Sequence, residues 1–207
     1  MNMLKMALVA GVVLCGANAA LADAYDDIIA AGKIRVSTDL AIPPSGMLDA
    51  ELQPIGSDVE TAKLLAGDWG LELEFVPTTG ATRIPNLQTG KADVIISTLS
   101  VTPQRAEVID FTVPYAALNS VVGAPKAADI SDWEGLRGKA VTVTRGTTQD
   151  TALTPLAGER GYTITRYDDD ATMVTAAVSG QAAAVATSET LTTRSANAIR
   201  SLVSVSY

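Results

Sequence analysis

Two hydrophobic rhythms alternate along the chain from residue 24 onward. Short apolar or period-two runs read as strands: "KIRVSTD" (33–39), "LELEFVP" (71–77), "ADVIIST" (92–98), "KAVTVTRG" (139–146), "YTITRYD" (162–168) and "QAAAVATS" (181–188). Between them lie segments of helical character. "AYDDIIAA" (24–31) stops at Gly32, and "SDVETAKLLAGDWG" (57–70) carries a Ser57/Glu60 capping box and ends at Gly70. "RIPNLQTG" (83–90) is a short helical turn. "SDWEGLRG" (131–138) offers a second S-x-x-E start, and helices follow in "TTQDTALTPLAG" (147–158) and "DDATMVTAAVSG" (169–180). Strand and helix in alternation predict an α/β protein with mostly parallel sheets. The pattern runs once before about residue 113 and again after about 121, so two small lobes are expected. The stretch "VVGAPKAADISD" (121–132), small and Pro-containing, suits a passage between them.

The first 22 residues do not fit this alternation. One early cation (Lys5), an apolar run from Met6 to Gly16 and small residues at Ala20 and Ala22 form a cleavable export signal. That run is too short for an ordinary membrane-spanning helix. Leu14 before Cys15 disfavours a lipoprotein signal, so a soluble exported chain is expected. Composition then narrows the chemistry. With 207 residues and 47% hydrophobic content a sizeable core is possible. The net charge of -8 repels phosphate backbones and makes nucleic acid a poor partner. There is no histidine, so Ser-His-Asp, Cys-His and HExxH chemistry are all excluded. The single cysteine falls in the leader, which leaves the exported part without a disulfide.

Two strand ends carry the hydroxyls and cations from which a site is made. In open α/β sheets ligands sit beyond the carboxyl ends of strands, against helix N-termini. In "STLSVTPQR" (97–105), Thr102 suits an N-cap and Pro103 the first helical position. Arg105 is then a cation in a first helical turn, which the helix dipole disfavours. Two readings stand: a bidentate carboxylate ligand, or pairing with Glu107 or Asp110. The second place is "TRGTTQ" (144–149), where Gly146 turns and Thr147 and Thr148 open a helix. Plain capping explains it when taken alone, but loops at strand ends of two lobes face each other across a cleft. The acids Asp168, Asp169 and Asp170 are read as helix capping and dipole complementation rather than a metal site.

The block "RIPNLQTGKADVIISTLSVTPQRAEVIDFTVPY" (83–115) closely resembles the family 3 solute-binding proteins of bacterial ABC transporters, and "DWEGLRGKAVTVTRGTTQD" (132–150) resembles the second-lobe entry of the same family. The resemblance implies a two-lobed, type II periplasmic-binding-protein-like fold, each lobe a mostly parallel sheet flanked by helices. It implies lobe 1 at 23–115, a hinge crossing at 116–123 and lobe 2 at 124–190. Family members continue further, so 191–207 is expected to be an incomplete C-terminal segment. The implied function is capture of an amino acid or related carboxylate in the periplasm, by a monomer without cofactor, for delivery to a membrane permease. By the same resemblance Arg105 holds the ligand carboxylate, aided by Thr147 and Thr148. Ser97, Thr98 and Ser100 face its ammonium, and Asp39 occupies the early acidic position. Ile42 and Ser57 replace aromatic residues of the family, and Ser188 replaces its second-lobe aspartate, leaving Glu189 as the neighbouring acid. Cyclohexadienyl dehydratases share the resemblance, which gives two alternatives: an enzyme with Glu189 as its cleft carboxylate, or a truncated relative that binds no solute.

Overall fold

The computed structural model describes residues 24–126, 128, 130–194 and 199–205. The leader expected at 1–22, with Cys15, lies outside the described residues. The chain opens with α1 (Ala24–Ala31) and β1 (Lys33–Thr38), then a two-stranded hairpin of β2 (Met47–Leu48) and β3 (Pro54–Ile55). Next come α2 (Ser57–Trp69), β4 (Glu72–Pro77), α3 (Arg83–Gln88), β5 (Val94–Ile95) and α4 (Pro103–Ala106). β4, β1 and β5 form a wholly parallel three-stranded sheet with β1 in the middle. Ile34 and Val36 of that central strand are fully buried, and with Ile28, Ala62, Ala66 and Ile96 they form its core.

Residues 111–119 carry neither helix nor strand. β6 (Ser120–Pro125) begins a second sheet, followed by a 3-10 turn at Glu134–Leu136, β7 (Ala140–Thr144), α5 (Thr148–Leu153), α6 (Ala157–Arg160) and β8 (Thr163–Tyr167). α7 (Asp170–Val178), β9 (Ala184–Ser188), α8 (Glu189–Arg194) and β10 (Ile199–Val205) complete it. The strand order is β10-β6-β9-β7-β8, parallel at β9-β7-β8 and antiparallel at β10-β6-β9. Each of the five residues of β9 is buried, as a strand covered on both faces requires. Its alanines leave room for Met173 and Ala177 of α7 to pack against Val185. A larger cluster on Val122, Val141, Val143, Leu153 and Ala186 fills the rest of this lobe.

Four local expectations are corrected. The strand expected over 92–98 is confined to Val94–Ile95. Its ladder to β1 runs from Asp93 N–H on Arg35 O to Ile96 N–H on Ser37 O, and then the chain turns at Thr98, whose φ is 47°. The Ser57/Glu60 capping box does not form: Gly56 is the N-cap of α2, without a side-chain cap, and Glu60 instead accepts from Lys63. At 131–138 the oxygen that accepts the turn's N–H belongs to Asp132, not Ser131, and the helix is a single 3-10 turn. No element was expected after residue 190, yet α8 runs on to Arg194 and β10 pairs along β6.

Candidate functional site

The parallel strands of both sheets send their carboxyl ends towards one cleft, lined by residues from both sides of the molecule. On the first side, β1 and β5 end in Thr38-Asp39 and Ser97. The Ser97 hydroxyl accepts the Asp39 N–H at 3.0 Å, tying the two strand ends together. Thr98 follows in the left-handed region, unusual for a β-branched residue and a form of strain that clusters at functional sites. Thr102 caps α4 by accepting the Arg105 N–H at 3.3 Å, with Pro103 in the first turn, as expected. The Arg105 guanidinium reaches across the cleft: Nη1 donates to Ser100 O at 2.9 Å and Nη2 to Gly146 O at 3.1 Å.

The second side begins where β7 ends. Thr147 caps α5 by accepting the Asp150 N–H at 3.3 Å, and its hydroxyl donates to Thr144 O at 2.7 Å. Gln149 donates to the Ser120 hydroxyl at 2.8 Å, fixing the helix start to β6. Thr187 and Ser188 at the end of β9 and Asp170 at the start of α7 line the same face. The two sides touch at glycines. A Cβ on Gly80 would lie 2.7 Å from Arg145 O, and one on Gly146 would lie 2.9 Å from Gly80 O.

A buried charge group centred on Arg83 reaches the lining through Arg83 and Asp170. Arg83 is 3% exposed, and its guanidinium donates to Ser97 O and Gly80 O. Asp39, Asp58 and Asp170 surround it and favour its charged form against the cost of burial, which lowers its pKa. Burial pushes the Asp39 carboxyl up to about 6, against an Ala41 N–H that favours the ion. Its Oδ2 has no hydrogen-bond partner, while Oδ1 accepts from Ala41 N–H at 2.9 Å. Burial also raises Asp58 and Asp170. Asp58 accepts from the Tyr115 hydroxyl at 3.1 Å, so Tyr115 braces this group.

Of the residues singled out from sequence, Thr98, Ser100, Arg105, Thr147 and Thr148 meet in the cleft lining. Asp39 and Ser97 lie behind it, 2% and 1% exposed. Glu189 is not in the lining; its carboxylate accepts from Asn119 Nδ2 at 2.9 Å. The cleft also contains Arg83, Gln149, Asp170 and Thr187, which sequence reasoning did not select. For Gln149 and Thr187 the signal was present, since each adjoins a stretch already marked. Arg83 and Asp170 had none, because each reaches the cleft only through tertiary placement. Ile42, Leu118 and Leu191 supply apolar lining. Among the described residues no group of acids suits a metal ion, and no helix is long and apolar enough to cross a membrane.

Comparison with known proteins places this geometry. The sequence model of the bacterial extracellular solute-binding proteins, family 3, matches residues 34–201. The chain is 34% identical over 136 residues to the histidine-binding periplasmic protein of Salmonella typhimurium (strain LT2), covering 65% of this chain and 52% of that protein. The chain thus spans about half the length of the curated relatives it matches. Among solved structures it resembles an ancestral arginine-binding protein bound to arginine, at a TM-score of 0.78 and 29% identity, covering 84% of this chain and 80% of that one. It also resembles an ancestral amino acid-binding protein described as a precursor of cyclohexadienyl dehydratase, at a TM-score of 0.76 and 33% identity, covering 86% and 80%.

Proposed function

Because the chain belongs to the bacterial extracellular solute-binding proteins of family 3, we propose that it is a receptor for an amino acid or related carboxylate, held in the cleft between two lobes. The observation that carries this reading is Arg105. Its planar fork lies where the two sides of the cleft meet, bonded to a carbonyl on each, among the hydroxyls of Thr98, Ser100, Thr147 and Thr148. A guanidinium there presents the geometry that a carboxylate prefers. A solute anchored at that point stabilises the joined arrangement over a separated one, which is how binding drives closure.

In this reading lobe 1 comprises residues 23–115, the chain crosses through 116–119, and lobe 2 holds the sheet from β6 to β10. The leader at 1–22 directs export to the periplasm, where the closed monomer presents its solute to a membrane permease of the ABC type. Asp39 and Ser97 act from behind the lining, holding the strand ends that shape the site. Glu189, the acid that the dehydratase alternative names, is bonded to Asn119 and is not in the cleft lining. The test is calorimetry of the purified chain against a panel of amino acids. Saturable binding that Arg105→Ala weakens by about 100-fold is expected, the scale for removing one partner of a desolvated charge pair. Binding unchanged by that substitution overturns the site.

A further inference from the structure

The buried group around Arg83 is divided by the cleft. Asp39, Asp58 and Arg83 belong to the side of the three-stranded sheet, while Asp170 opens α7 on the other side. We infer that closing the cleft takes up a proton, held at Asp39, because closure sets a third carboxylate against the guanidinium that two already share. Affinity for the solute then rises as the medium is acidified. The inference rests on the receptor reading above, in which the joined arrangement is the solute-bound one.

Charge and hydrogen bonding both point to Asp39. Asp39, Asp58, Arg83 and Asp170 are all buried, and the three acids share the charge of Arg83. With every acid ionised, three negative charges would face that one guanidinium away from water. Protonating one of them relieves the excess. Opening the cleft carries Asp170 away with α7 and lets water reach the rest; closing it restores the excess. The hydrogen-bond donors decide which acid takes the proton. Asp170 has the hydroxyls of Thr144 and Thr187. Asp58 has the Tyr115 hydroxyl at 3.1 Å and the Thr98 N–H. Each of these donors favours the ion. Asp39 has the Ala41 N–H on Oδ1, and its buried Oδ2 has no hydrogen-bond partner. It is the acid least equipped to keep its charge. Around it, Arg83 from the start of α3 favours the ion, while Asp169 and Asp170 from the start of α7 oppose it across the join. In the joined arrangement burial holds Asp39 at about 6, against an ordinary value of about 4 towards which opening returns it. Between the two values the closed form holds a proton that the open form has lost, so closure takes one up. Below the lower value both forms hold it, and above the higher value neither does.

The experiment uses the full chain with L-arginine and L-glutamine as probes, whose own charges stay fixed across the pH range used. Calorimetry at about pH 6, in two buffers of different ionisation enthalpy, counts the protons exchanged on binding. The unsubstituted chain is expected to take up about half a proton per solute bound. Its affinity should be about fourfold tighter at about pH 5.5 than at about pH 7.5. In Asp39→Asn both the uptake and the pH dependence should vanish, because an amide does not ionise. In Asp170→Asn they should shrink but persist, since Asp39 still titrates without the charge across the join. Unfolding midpoints show that each variant is folded. Uptake that persists in Asp39→Asn and vanishes in Asp170→Asn overturns the assignment to Asp39. Binding by the unsubstituted chain with level affinity and no uptake overturns the inference while leaving the receptor reading in place. If neither probe binds the unsubstituted chain, the receptor reading fails and the inference falls with it.

Discussion

The two sides of the cleft are built by different means. On the side of the three-stranded sheet, Thr98, Ser100 and Arg105 come from one continuous stretch, and Thr102 fixes the arginine's backbone from three residues away. On the side of the five-stranded sheet, the lining is gathered from the ends of β7 and β9 and the starts of α5 and α7. The first side can be read as a motif because its geometry is local. The second depends on sheet order, which brings Asp170 and Ser188 together though they are distant in the chain. A further asymmetry follows in the electrostatics. Most of the buried charge group, Asp39, Asp58 and Arg83, belongs to the first side, and Asp170 reaches it from the second.

Removing the centre of that group is the most severe way to break the comparison. Arg83→Met leaves Asp39, Asp58 and Asp170 without their shared cation, and loss of one partner in a buried ionic group costs about 3–5 kcal/mol. The urea midpoint should fall accordingly. A loss below about 1 kcal/mol would mean that the carboxylates are neutralised by other means.

A smaller effect, opposite in sign, is expected at Asp39. Its unfolded pKa lies near 4 and its folded value at about 6. The native state therefore holds a proton that the unfolded chain has lost across that window. Ionisation of Asp39 takes stability away as pH rises from about 4 to 6, and the cost is fully present above 6. Asp39→Asn removes it, so the variant's gain over the unsubstituted chain should grow by about 1–2 kcal/mol between about pH 4.5 and pH 7. Thermal or urea unfolding at both pH values measures this. An equal gain at the two would show that Asp39 is not raised.

The contact between the sides is tested at Gly80. An added methyl there meets Arg145 O at 2.7 Å, across the join. Gly80→Ala should weaken solute binding by about tenfold, while stability without solute stays within about 0.5 kcal/mol. Equal losses in both would assign the glycine to folding instead of closure.

The finest comparison is among three hydroxyls at helix starts. Thr102→Ala and Thr147→Ala each remove a cap that the structure contains, and each should cost about 1 kcal/mol. Ser57→Ala should cost less than about 0.5 kcal/mol, because Gly56 holds the cap position of α2. Chemical denaturation of the three variants ranks them directly.

This last contrast also shows what a sequence conveys. The alternation of strands and helices was legible throughout, because periodicity reflects which face is buried and both sheets follow it. Thr102-Pro103 and Thr147 were legible as caps because capping is decided within four residues. Ser57 looked equally good by that rule and was displaced by one position, since Gly56 adopts a φ of 126° that the close approach of Pro44 O and Ser45 O requires. Arg105 stood out because a cation in a first helical turn needs a reason. Asp170 did not, because an acid at a helix start already has one. Only the fold shows that Asp169 performs that task and that Asp170 turns inward. Glu189 was chosen for its closeness in sequence to Ser188, but the last residue of a strand and the first of a helix point different ways.

The most direct measurement is a crystal structure of the full chain grown with its tightest-binding amino acid. The α-carboxylate is expected within hydrogen-bond distance of the Arg105 guanidinium, with Gly80 and Gly146 in contact. An amino acid bound with its carboxylate away from Arg105, or outside this cleft, would contradict it.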